Sequence, residues 1–60
     1  MNNKTVRDAF NQWWEDMDKP SLPRVTKRIG INYDYFLHWR AGRKNMSDEK
    51  LNKIIKHIRK

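Results

Sequence analysis

Residues 21–44 read SLPRVTKRIGINYDYFLHWRAGRK, and this stretch decides the fold. Leu22, Val25 and Ile29 recur at helical spacing. Gly30 follows and ends that helix, because glycine alone enters the left-handed backbone region without a steric penalty. Ile31 is an apolar plug in the turn. Asn32 suits the N-cap of a second helix, since its side-chain oxygen accepts a backbone N–H that the helix leaves unpaired. Phe36 and Trp39 then share one side of that helix. Gly42 stops it, and Arg43 and Lys44 come next. The spacing predicts helices over 22–29 and 33–40, joined by a tight glycine turn.

Working outward, Asp18-Lys19-Pro20 reads as a break, because the residue before a proline avoids the α region. Ser21 is placed to cap the helix that follows, with Pro23 in its first turn, where a missing N–H costs nothing. Upstream, a helix over about 3–17 carries Val6, Ala9, Phe10, Trp13 and Met17 on one stripe. Its polar face holds Arg7, Asp8, Asn11, Glu15 and Asp18. Trp14 sits on the edge of the stripe, where it either laps over the core or serves a partner surface. Downstream, residues 41–46 form a loop bearing Arg43, Lys44 and Asn45. Ser47 then caps a helix over about 48–59, and Asp48 and Glu49 in its first turn suit the helix dipole. Met46 and Leu51 fit a hydrophobic staple. Leu51, Ile54, Ile55 and Ile58 make the inward stripe, with Lys50, Lys53, Lys56 and Lys60 outside it. The expected fold is all-α, a compact four-helix domain over 1–60 with a central helix-turn-helix.

Sixty residues make one small domain, too small to enclose a substrate pocket. No nucleophile–base pair, paired carboxylates or phosphate loop is present, so neither an enzyme nor a small-molecule substrate is expected. There is no cysteine, and His38 and His57 stand alone, so no metal or other cofactor is expected. No apolar run approaches the roughly 20 residues that span a bilayer. No secretory leader is visible at Met1, which makes a cytoplasmic protein the expectation. Charge is the informative property. The net charge is +7, yet residues 1–20 carry −1 and residues 21–60 carry +8. Such a split points the second part, and not the first helix, at a polyanion.

Taken together, these residues resemble the Cro/repressor-type helix-turn-helix family of phage and bacterial regulators. The resemblance rests on Gly30, Ile31, Asn32, Phe36, Trp39, Gly42, Arg43, Lys44 and Ser47, over about half the chain from Leu22 to Leu51. Thr26 stands where the family usually has a smaller residue. Leu22 stands where it usually has a polar residue that touches phosphate. The resemblance implies double-stranded DNA as partner, with the helix over 33–40 in the major groove.

In that arrangement Tyr33, Asp34, Leu37 and His38 are the base-reading candidates. Asp34 accepts from a cytosine amino group, unless it is simply a dipole-favoured charge at a helix start. Leu37 packs on a thymine methyl, and His38 donates to guanine or phosphate. Tyr35 is expected to pack or to bond backbone. Ser21, Arg24, Lys27, Arg28, Arg43 and Lys44 are the phosphate candidates. So small a monomer makes few base contacts, so operator-level specificity suggests a homodimer on two half-sites about one helical turn apart, while the oligomeric state stays open. Two other readings fit the sequence. One is a helix-turn-helix that binds a protein through exposed Trp14, Tyr35 and Leu37. The other is a cationic membrane-active peptide, against which seven acidic residues argue.

Overall fold

In the computed structural model, which describes residues 2–59, the chain folds into four α-helices: α1 (Asn3–Asp16), α2 (Leu22–Ile29), α3 (Tyr33–Arg40) and α4 (Asp48–Ile58). No strand occurs among the described residues. α1 packs on α4, and α2 packs on both α3 and α4. The expected helix boundaries hold to within one residue, α1 and α4 each ending one position early. Lys60, expected on the outer face of α4, lies outside the described residues.

Local chemistry accounts for most of the boundaries. The Asn2 side chain accepts from the Lys4 and Thr5 N–H groups at 2.7 and 3.3 Å and starts α1. Asn32 starts α3 in the expected way, accepting from Tyr35 N at 3.0 Å. Ser21 and Ser47 occupy the N-cap positions of α2 and α4, but neither side chain makes the expected cap bond. For α4 the acidic pair Asp48 and Glu49 still meets the positive end of the dipole. Gly42 closes α3 with a paired cap: Gly42 N donates to Trp39 O at 3.0 Å and Arg43 N to His38 O at 2.9 Å.

Gly30 takes φ +87° and donates to Thr26 O at 2.9 Å, and Ile31 N reaches the same carbonyl at 3.1 Å. A Cβ built on Gly30 meets nothing within 4 Å. The whole cost of Gly30→Ala is therefore backbone strain, and a loss of about 1–2 kcal/mol is expected in urea unfolding. An unchanged midpoint would show that the turn tolerates an ordinary residue there.

The break after α1 is tighter than the proline rule predicts. Asp18 and Lys19 both adopt left-handed backbone, at φ 63° and 55°. The bend is held by Lys19 N donating to Trp14 O at 2.8 Å and by the Trp14 indole donating to Pro20 O at 2.8 Å. This hairpin ends the apolar stripe of α1. Met17 falls beyond the last turn and is 57% exposed, and Ala9 is exposed too, so neither joins the core as expected. Trp13, expected in the core, is half-buried against Phe10.

The core is an aromatic triangle in an aliphatic shell. Phe10, Phe36 and Trp39 are fully buried, with Phe10 edge-on to Phe36 at 4.9 Å and to Trp39 at 6.4 Å between centroids. Val6, Val25, Ile29, Ile31, Met46, Leu51 and Ile54 surround them. Each such side chain contributes about 1.5–3 kcal/mol relative to exposure. Thr26 is buried with them, and its hydroxyl donates to Leu22 O and Pro23 O at 3.0 and 3.1 Å.

Candidate nucleic-acid interface

The core fixes how α3 is displayed. Phe36 and Trp39 point inward, so the opposite side of the helix faces outward. Tyr33 and Asp34 are exposed at its start, whereas Leu37 and His38 are half-buried. Leu37 lies off the inward side of α3 that Phe36 and Trp39 define. The structure tucks it beside α1, where Asn11, Leu37, Arg40 and Ala41 line one shallow hollow. Arg40 builds the wall: its Nε donates to Asn11 Oδ1 at 2.9 Å, and its guanidinium lies 4.2 Å from the Trp14 ring centroid. Trp14 is thereby covered and laps the core edge. Trp14, Tyr35 and Leu37 are all half-buried, so the exposed patch expected for a protein partner is not formed by these three.

Tyr35 organises charge. Its hydroxyl donates to Asn45 O at 2.6 Å, which fits the packing and backbone-bonding role expected of it. Its ring attracts two ammonium groups, Lys44 Nζ at 5.1 Å and Lys50 Nζ at 4.7 Å from the centroid. Lys50 thus leaves the plain solvated face assigned to it and joins Arg43 and Lys44 beside α3. Helical phase within α4 could not reveal this, because the partner ring is 15 positions away in sequence.

The loop carrying Arg43 and Lys44 is pinned from α1. Asn3 Oδ1 accepts from Met46 N at 2.8 Å and from the Trp39 indole at 2.9 Å, and Asn3 Nδ2 donates to Met46 O at 3.2 Å. Arg7, expected on the polar face of α1, is half-buried instead. Its Nε donates to Trp39 O at 2.6 Å and its Nη2 to Lys44 O at 3.3 Å, and its guanidinium packs 5.3 Å from the Trp39 ring centroid. Neither residue carried a sequence signal for this role.

The six phosphate candidates are all exposed, and three of them line a cleft. Arg43 and Lys44 flank α3. Ser21, Arg24 and Arg28 line a cleft of about 350 Å³ together with Trp13, Met17, Pro20, Val25 and His57. Arg28 also lines a smaller neighbour with Ile29, Lys53, Lys56 and His57. No residue of α3 lines either cleft. Lys27 projects from α2 outside both.

Among the described residues no three His, Cys, Asp or Glu side chains group to hold a metal ion, and no helix is long and apolar enough to cross a membrane. The chain matches no family model, no curated protein and no solved structure.

Proposed function

We propose that this chain binds double-stranded DNA sequence-specifically as a small transcriptional regulator of phage or mobile-element type, with α3 lying in the major groove. The observation that carries the reading is the setting of α3. It is anchored by two fully buried aromatics, turned outward between two left-handed glycines, and flanked by Arg43, Lys44 and Lys50. Asp34 is the one carboxylate on α3, at its start, where the dipole also favours it. The spacing resemblance to Cro/repressor-type proteins supports the same assignment. Tyr33, Asp34, Leu37 and His38 read base edges, Arg43, Lys44, Lys50 and Lys27 contact phosphates, and Arg7 and Asn3 hold the basic loop in place. Ser21, Arg24 and Arg28 lie apart from this face and are left out of it. Two copies on two half-sites raise the specificity that one short helix supplies, and the chain acts in the cytoplasm.

The test is binding to random and selected duplexes across a salt series. Affinity should fall steeply with salt, and Arg43→Ala should weaken both duplexes alike while lowering the log–log slope by about 0.9. His38→Ala and Leu37→Ala should instead narrow the gap between selected and random DNA. A protein that ignores duplex DNA at low salt would remove the proposal.

A further inference from the structure

The cleft and the end of α1 carry opposite charge, and they meet on one molecule at Met17, which lines the cleft. The floor of the cleft is apolar, from Trp13 and Val25, and its rim carries Arg24 and Arg28. No carboxylate lines it. Neither arginine has an ion pair or side-chain hydrogen bond among the described residues. One wall of the cleft, at Met17, belongs to a knuckle of the opposite character. Asp16 and Asp18 flank Met17, which is 57% exposed, and the backbone at Asp18 and Lys19 is left-handed.

We infer that knuckle and cleft are the two halves of a self-association surface, and that the occupant of the cleft is a second copy of this chain. About a two-fold axis the knuckle of each copy seats in the cleft of the other, so one patch serves both sides. Met17 enters over Trp13 and Val25, and Asp16 and Asp18 meet the partner's Arg24 and Arg28. Residues 21–60 carry +8, so two copies repel through most of their surface. A contact that sets the acidic end of α1 against the basic rim is the one this charge distribution favours. The patch is small, so the dimer is weak and depends on concentration. α3 takes no part in it and stays exposed on each copy. The inference rests on the two-copy element of the proposed function, but it is tested without DNA.

The experiment is sedimentation velocity over a dilution series at low ionic strength. The wild-type chain should form a reversible dimer. A double variant Asp16→Lys with Asp18→Lys should raise the dissociation constant by about tenfold or more, as should Arg24→Glu with Arg28→Glu. All four positions are exposed, and Asp18 lies beyond the last residue of α1, so helical circular dichroism should be unchanged. An equimolar mixture of the two variants should recover the dimer. In the mixed pair new lysines face new glutamates, and native aspartates face native arginines. A monomeric wild type, double variants that still dimerise, or a mixture that stays monomeric would each overturn the inference. DNA binding that persists in any of these cases would leave the proposed function standing.

Discussion

Trp39→Ala is expected to abolish the folded state in buffer at 25 °C. Trp39 is fully buried where α3 meets α1, in ring contact with Phe10 and Phe36. Its indole N–H donates to Asn3, its carbonyl accepts from Arg7, and the Arg7 guanidinium packs near its ring. Truncating a buried tryptophan costs about 3–5 kcal/mol from lost transfer energy and the cavity left behind. A chain of this length holds only about 3–9 kcal/mol in total, because it buries a small share of its surface. With the indole bond to Asn3 lost as well, the cost matches the whole stability over the lower half of that range. Trp39→Phe separates volume from hydrogen bonding. It keeps an aromatic in the triangle, leaves Asn3 Oδ1 bonded to Met46 N, and should remain folded with a lower urea midpoint. Far-UV circular dichroism during urea titration decides both. A cooperative wild-type-like melt for Trp39→Ala would mean that the aromatic triangle is not what holds α3 to α1.

The features legible in the sequence are those set by short-range rules. Gly30, Asn32 and Gly42 punctuate α2 and α3 because backbone conformation and capping act within a few residues. Phe36, Trp39, Leu51 and Ile54 were readable as core from helical phase alone. Phase says which side of a helix is apolar, but not which neighbour covers its margins. That is why Leu37 and Arg7 surprised: Asn11 and Arg40 line a hollow beside the first, and Trp39 and Lys44 draw in the second. Met17 failed in the opposite sense. It is in phase with the stripe, but the hairpin at Asp18 and Lys19 leaves it past the last covered turn. At the candidate interface the basic residue types were legible, and their grouping was not. Lys50 joins α3 through a shared ring, and Arg24 and Arg28 part from it by facing α1 and α4.

Asn3→Ala should lower stability by about 2–4 kcal/mol, an effect unusual for a polar residue in the first turn of a helix. The side chain is half-buried and makes three hydrogen bonds across 36 and 43 positions of sequence. Alanine leaves the Trp39 indole N–H without a partner inside the core, and frees the Met46 N–H and carbonyl at the start of α4. An unsatisfied buried donor costs more than the bond itself contributed, since water cannot replace the lost acceptor. Asn3→Asp is the informative comparison. It keeps an acceptor for Trp39 and Met46 N, loses only the donation to Met46 O, and adds a negative charge where the α1 dipole favours one. It should therefore recover most of the stability, which sets it apart from a variant that merely disturbs the helix start. The same substitution tests the link between core and interface. Asn3 ties Met46, and with it the loop bearing Arg43 and Lys44, to α1. If the DNA-binding reading holds, Asn3→Ala should weaken affinity at a temperature where the variant is still folded, and leave the salt slope near that of wild type. Urea unfolding and amide exchange at Met46 measure the first effect, and salt-dependent binding measures the second. Stability within about 0.5 kcal/mol of wild type would show that the Asn3 bonds are exchanged for water without loss, and would remove the reason for calling this residue the anchor of the loop.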